Sequence, residues 1–527
     1  MTTLDVTRME GTVADADLRR TIAKVLRRWP SAGLALAVLR EDAPPRVLGH
    51  GVADIVSGRP VGEDTVFRVG SLTKVLTAVA VMQLCEQGLI DLDAPADDYL
   101  RAFRLVPAKA DFRRATARHL LTHSAGVGYF RRRSDLLLHP GVGSGDVARS
   151  IVPLAELYPD GLPVDVQPGT RWAYSNHGFA ALGQIVEDVS GEPLDQYLRE
   201  HVFRPLGMDD TDLVLSERLR ARLATGYTLR RGRLAAVPWR EVPTPGGGGI
   251  YSTTRDMARY MAAMLGGGAN EHGRVLAAET VSSMFEPHFQ PDPRMAGMGL
   301  GFDRHEELGR TFIGKTGIVS GFLSAIGMAP EEGIGVVVLG NTGGLSGRGA
   351  PAPLAEALTR LLVGLPEEPA RDDVAPHPEV WPALCGWYAP DAGPITNAFP
   401  RLALGPGVEV AVRHGELVLT PLTPVPGMRT RMVLHPDDPA DPRVYRVVLP
   451  QYGWNLCVVF TEDSPPRLLL DLMSFEKRPD WRNPRRWATG AAAAAVTAAV
   501  VRQPRRPRTC RSHAGGTTST RSPAGAS

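Results

Sequence analysis

The sequence predicts an α+β region over roughly its first 365 residues, a small all-β domain over 366–480 and a tail over 481–527. Three observations carry this. Strand-like apolar runs stand near the start of the chain and again at 311–341, with helical patterns and Pro/Gly-rich loops between them. The Pro/Glu/Asp-rich stretch 366–378 reads as a linker. Beyond it come only short β-like runs, VEVAVRHGELVLTPL, MRTRMVL, YRVVLP, NLCVVF and RLLLDLMSF, the pattern of a small barrel.

Each element has its own reason. Residues 14–30 space their apolar side chains as an amphipathic helix. Residues 33–39 and 46–53 read as two strands around the turn-rich EDAPP. Phe67-Arg-Val-Gly-Ser71 leads into 72–89, apolar almost all round and therefore a buried helix. Residues 177–189 and 254–265 read as helices, TFIGKTG, FLSAIGMA and GIGVVVLGN as strands, and 352–363 as a closing helix. The Ala-rich stretch 487–501 would span ~22 Å as a helix, short of the ~30 Å bilayer core. A membrane anchor is not expected there, and the tail reads as disordered.

Composition narrows the function. Apolar residues make up 43% and charged residues 22%, as in an ordinary soluble globular protein. The net charge of +2 is set by the tail, which carries nine Arg and no acidic residue. The other 480 residues hold 57 acidic side chains against 50 basic ones, a balance of −7. A broad nucleic-acid surface is not expected on such a body. Four scattered cysteines (Cys85, Cys385, Cys457, Cys510) with no CxxC pair predict neither a disulfide framework nor a cysteine-ligated metal. Cys85 reads as a small core residue. The first twenty residues lack an apolar signal core, so a cytoplasmic location is expected. The expected partner is a small-molecule or short-peptide substrate.

Lysine usage is the sharpest signal. Only Lys24, Lys74, Lys109, Lys315 and Lys477 occur among 59 basic residues. Where a surface charge suffices, this chain writes Arg. A buried Lys can shed its proton and act as a base, which Arg cannot do. Two of the five stand in core-like segments.

Ser71-Leu-Thr-Lys74 places a hydroxyl and an amine at i and i+3, on one helix face. Ser71 at the helix start would meet the N–H groups that favour an oxyanion, with Lys74 one turn inward to accept its proton. A second Ser-x-x-Lys, Ser474 to Lys477, follows a strand and runs into Arg478-Pro479, so it opens no helix and is set aside. Lys315-Thr316-Gly317 lies on an expected strand, where Gly317 would let substrate lie against the backbone and Lys315 and Thr316 would bind or polarise it. The same segment satisfies the phosphate-loop pattern GxxxxGKT from Gly309. A phosphate loop must open a helix, and strands follow here, so nucleotide binding is rejected. In Tyr174-Ser175-Asn176 the outer residues point the same way if the chain is extended. Tyr174 would relay a proton, and Asn176 would hold Lys74 or a substrate amide. His119 and His123 have metal-like spacing but lack the Glu of a zinc motif, so capping and core hydrogen bonding are the better readings.

Taken together, Ser71-x-x-Lys74, Tyr174-x-Asn176 and Lys315-Thr316-Gly317, in that order, resemble the class C β-lactamase-related serine hydrolases. That group includes D-alanyl-D-alanine carboxypeptidases, D-aminopeptidases and β-lactamase-like esterases. The resemblance runs over roughly 15–363 and includes ARHLLTHSAG, PGTRWAYSNHGF, PLGMDDT and GGGIYSTTRDMARY. It implies an antiparallel sheet flanked by helices beside an all-helical region, with the site between them. It implies Ser71 as acylated nucleophile, Lys74 and Tyr174 as base and acid, and Asn176, Lys315, Thr316 and Gly317 as substrate-binding residues. The backbone N–H groups of Ser71 and Ile318 would form the oxyanion hole. No metal or organic cofactor is implied. Arg68 stands where dedicated β-lactamases of this class carry an acidic residue, which favours the peptidase and esterase branch. The expected activity is hydrolysis, through an acyl-enzyme, of an ester or of an amide bearing a D-amino acid. The alternatives are a β-lactamase or a non-catalytic sensor or scaffold.

Overall fold

The computed structural model describes residues 15–40, 43–131, 151–230, 232–344, 349–365, 373–390, 404–423, 429–449 and 454–483. The Ala-rich stretch 487–501, Cys510 and residues 366–372 of the expected linker lie outside these. The chain divides into two compact units, 1–479 and 480–527. In the second, one 3-10 turn, Asp480–Arg482, is described.

The α+β fold is present. Helix α1 (Asp15–Arg28) leads into strands β1 (Gly33–Arg40) and β2 (Ala43–Gly51). The sheet is completed from far along the chain by β3 (Gly297–Met298), β4 (Asp303–Glu307), β5 (Arg310–Val319), β6 (Phe322–Ala329) and β7 (Ile334–Gly340). Its order is β2-β1-β7-β6-β5-β4-β3, antiparallel at every pairing. Both faces are covered, which is why β1 and β7 are apolar without alternation. Leu34, Leu36 and Val38 pack with α1 and the closing helix α8 (Pro351–Leu362). Ala35, Ala37 and Leu39 face the larger core beneath the helical region.

That helical region is built from α2 (Thr73–Glu86), the short α3 (Ala117–Leu121), α4 (Asn176–Ser190) and α5 (Leu194–Leu198); α6 (Thr254–Leu265) packs on β1 and β7 of the sheet, and α7 (Ala278–Phe285) follows it in the chain. Helix α2 is buried from Thr73 to Leu84, as its all-round apolarity predicts. One expectation fails at the start of the sheet. EDAPP was expected to be a turn, yet Pro44 and Pro45 lie within β2. The position explains it: β2 is the edge of the sheet, where a missing N–H breaks no ladder. The two motifs set aside above lie on strands, Ser474 and Lys477 within Met473–Arg478 and Lys315 within β5.

The C-terminal part of this unit is a nine-stranded antiparallel sheet: β8 (Gly386–Pro390), β9 (Val408–Arg413), β10 (Glu416–Pro421), β11 (Met432–Val433), β12 (His435–Pro436), β13 (Val444–Leu449), β14 (Trp454–Phe460), β15 (Arg467–Leu470) and β16 (Met473–Arg478). Its order is β11-β10-β9-β8-β16-β15-β14-β13-β12. The first and last strands are separated in the chain by Leu434 alone, so the sheet curls into a nearly closed barrel around Tyr388, Leu417, Val447, Val458, Leu468 and Phe475. Met295, just before β3, packs among Val444, Val459 and Leu469 of the barrel, and Arg294 pairs with Asp441 at 2.9 Å. Among the described residues no helix is long and apolar enough to cross a membrane.

Candidate active site

Of the five lysines, Lys74 is fully buried and Lys315 is 4% exposed, while Lys24 and Lys109 are exposed and Lys477 is half-buried. The two singled out in the sequence are therefore the two in the interior. Ser71 sits not in α2 itself but in the 3-10 turn Gly70–Leu72 that precedes it. That turn is pinned on three sides. Val69 N–H donates to the Ile250 carbonyl at 3.1 Å, the Ser324 hydroxyl donates to the Val69 carbonyl at 2.7 Å, and Ile250 N–H donates to Thr73 Oγ1 at 3.1 Å.

Ser71 Oγ lies 2.5 Å from the Tyr174 hydroxyl and 3.1 Å from Lys74 Nζ. Lys74 Nζ donates to Asn176 Oδ1 and to the Gly247 carbonyl, each at 2.5 Å. Those two acceptors take two N–H bonds, so a neutral amine would turn its lone pair to Ser71. Burial, and the charge of Lys315, push the Lys74 pKa well below the usual lysine range. Burial pushes the Tyr174 phenol up. These shifts favour an amine without its extra proton beside a phenol that keeps its own.

Asn176 opens α4, and Ser175 caps that helix by accepting from Gly178 N–H at 3.0 Å. Gly247 lies in the single turn Pro245–Gly248. A side chain at Gly247 would meet the Asn176 carbonyl at 3.0 Å, so the glycine run lets this backbone reach Lys74. The sequence offered no sign of that role, because a main-chain acceptor has no side-chain signature.

Strand β5 closes the other side. A Cβ built on Gly70, whose φ is +53°, would lie 2.9 Å from Ile318 N, and one on Gly317 would lie 3.1 Å from Ser71 N. The segments carrying the two expected oxyanion N–H groups are therefore in contact. The expectation for Gly317 is corrected here. The space beside its Cα is taken not by substrate but by the Val69 carbonyl and Ser324 Oγ, at 2.1 and 2.2 Å from a built Cβ. Gly317→Ala is expected to force the strand off the nucleophile turn. It should lower Tm by several degrees, since overpacking costs about 1–3 kcal/mol. It should also lower kcat by at least about tenfold; thermal melts with ester turnover check both.

Lys315 lines the cavity with its charge already paired. Its Nζ donates to Asp303 Oδ1 at 2.8 Å, from the neighbouring strand β4. Thr316 and Ile318 are exposed on the cavity side of β5. The cavity holds ≈590 Å³ and is lined by Ser71, Tyr174, Asn176, Asp303, Lys315, Thr316 and Ile318, with Arg446, Leu456, Asp471 and Leu472 of the barrel forming part of its wall. Asp471 turns the β15–β16 hairpin with φ +53°. Burial and the nearby Asp303 carboxylate push its pKa up to about 6. Asp303 and Asp471 were missed in the sequence. Asp303 stands in a polar strand, DRHEE, and Asp471 is remote in sequence from every motif. His119 forms a capping box with Thr116, as expected. No group of residues able to hold a metal ion occurs among those described.

A serine held between a buried lysine and a tyrosine, under an antiparallel sheet with a helical region beside it, is the arrangement of the penicillin-binding and β-lactamase-type serine hydrolases. The Beta-lactamase family model matches residues 18–360, and the chain belongs to that family of serine hydrolases. It is 31% identical to "Penicillin-binding protein 4" of Amycolatopsis lactamdurans over 383 residues, 69% of this chain and 94% of that protein. It is 35% identical to "Esterase EstB" of Burkholderia gladioli over 282 residues, 47% of this chain and 69% of that one. Among solved structures, the octameric penicillin-binding protein homologue from Pyrococcus abyssi superposes with a TM-score of 0.56 at 23% identity. That match covers 88% of this chain and 100% of the other, and shares the fold.

Proposed function

We propose that the chain hydrolyses an ester, or an amide bearing a D-amino acid, through an acyl-enzyme on Ser71. The observation that carries this is the double contact of Ser71 Oγ with Lys74 Nζ and the Tyr174 hydroxyl. Neutral Lys74 takes the Ser71 proton as Oγ attacks the carbonyl carbon. The backbone N–H groups of Ser71 and Ile318 receive the developing oxyanion. Tyr174 donates its proton to the departing alcohol or amine and is reprotonated from Lys74. Water then enters along the path of the leaving group, gives a proton back through Tyr174, and releases the acid.

The charge of the cavity supports the ester and amine-bearing substrates over those with a carboxylate. Asp303 offsets the charge of Lys315. Asp471 adds a further negative charge as pH rises above about 6. A substrate carboxylate reaching Lys315 would meet a cation already paired with Asp303. Asp303→Asn is therefore expected to lower KM for carboxylate-bearing substrates about fivefold, the worth of about 1 kcal/mol, and to leave neutral esters unchanged. Parallel Michaelis curves for an acidic and a neutral ester check it.

The reading itself is tested by covalent labelling with a fluorophosphonate. A hydrolysis screen over a p-nitrophenyl ester, a D-alanyl anilide and a chromogenic cephalosporin then ranks the substrates. Labelling at Ser71 with ester or anilide turnover is the expected result. Turnover of the cephalosporin alone would replace this reading with that of a β-lactamase, and no labelling at all would favour a non-catalytic scaffold.

A further inference from the structure

Tyr174 lies in a stretch without regular secondary structure, residues 171–175, immediately before α4. A loop does not by itself hold a phenol against a serine. The residue that fixes this one is His123. Its backbone carbonyl accepts from Ala173 N–H at 2.8 Å, and its Nδ1 accepts from Ser175 N–H at 3.2 Å. Its ring packs on the Tyr174 ring, with centroids 4.5 Å apart. One residue thus grips the peptide on each side of Tyr174 and the aromatic face between them.

The grip requires a particular backbone and a particular tautomer. His123 has φ +56°, in the left-handed region that few side chains tolerate and where Asn, Asp and His are enriched. Its side chain is buried, and Nε2 finds no hydrogen-bond partner among the described residues. An Nδ1 that accepts must carry the lone pair, so the proton sits on Nε2. Burial, and the charge of Lys315, push the imidazole pKa well down, which favours the neutral ring with that lone pair available. A histidine read from the sequence as a core residue is in this way tied to the reaction centre.

We propose that His123 is a positioning residue that sets the distance between the Tyr174 hydroxyl and Ser71 through its Nδ1 acceptor. The proposal rests on the acyl-enzyme reading for its kinetic effect, but the placement of Tyr174 can be read without turnover. Two variants separate the acceptor from the ring. His123→Asn tolerates the left-handed backbone and sets an amide oxygen where Nδ1 stood, but removes the ring. His123→Gly also tolerates that backbone and removes both.

Both variants lose the packing of the buried ring, and His123→Gly the rest of the side chain as well, so both should show lowered Tm, the glycine variant more. The expected difference lies in catalysis. His123→Gly should lose about a hundredfold in kcat for a p-nitrophenyl ester, and His123→Asn about fivefold, with KM of each within about threefold of the parent. These losses follow from leaving or keeping a partner for the buried Ser175 N–H. Crystal structures should show the Tyr174 hydroxyl withdrawn from Ser71 Oγ in His123→Gly and retained in His123→Asn. The proposal is overturned if His123→Gly keeps parental kcat with Tyr174 in place, or if His123→Asn falls as far as His123→Gly with Tyr174 displaced in both. A parent chain that neither labels nor hydrolyses would count against the acyl-enzyme reading instead, and the two crystal structures would still decide the role of His123.

Discussion

Lys74→Arg is expected to slow acylation almost as much as loss of the nucleophile, by about 10³ or more, although it keeps a positive charge. The reason lies in what Lys74 must do. Its amine is fully buried, with Asn176 Oδ1 and the Gly247 carbonyl taking two N–H bonds and Ser71 at the third position. Burial and Lys315 hold its pKa down, which favours the neutral amine that the proposed mechanism needs to take a proton. Arg keeps its proton at any usable pH, having a pKa above ~12. Arg is also bulkier, and the site is closed, so thermal melts must accompany the assay. Lys74→Met, close in shape and without any base, is the companion variant and should show the same loss in a folded protein. The pH profile gives an independent readout. As pH falls through the lowered pKa, Lys74 gains a proton and the base is lost, so kcat/KM declines on the acid side. That limb should vanish in whatever activity Lys74→Met retains. Near-parental acylation by Lys74→Arg would mean that the lysine serves by charge alone.

Ser71→Ala is expected to abolish covalent labelling and to lower kcat by at least about 10³. The second serine of the same pattern, Ser474, is the internal control. It lies on a barrel strand, and Ser474→Ala should leave the rate unchanged. Mass spectrometry of the labelled peptide decides between them. A modified Ser71→Ala protein would place the nucleophile elsewhere.

How far these assignments were readable beforehand differs by residue, and the differences have physical causes. Lys74 and Lys315 stood out because the chain otherwise uses Arg, and both are interior. Helix α6 was legible to the residue, because its apolar stripe runs from a capping Thr253 to Gly266. Strand β2 was misjudged at its start, since the same prolines suit a turn and a sheet edge. Gly247 acts through a carbonyl that every residue possesses. Asp303 and Asp471 reach the cavity from β4 and from the barrel, and their neighbours become known only once the sheets have paired. His123 was seen as buried and hydrogen-bonded, but its partners at 173 and 175 lie fifty residues away, beyond any local pattern.

The surroundings of Lys74 have one more consequence. The groups that touch its amine come from the turn at Ser71, the start of α4 at Asn176 and the glycine turn at Gly247. In an unfinished chain those pieces are apart, the amine is hydrated and protonated, and Ser71 is an ordinary alcohol. Reactivity therefore arrives together with the last of the long-range structure. A nascent or partly melted molecule carries no activated serine that stray electrophiles could block. Conversely, if Ser71 is the nucleophile proposed, the amount of fluorophosphonate taken up by a sample would count its native molecules, and the active centre would double as a built-in gauge of folding.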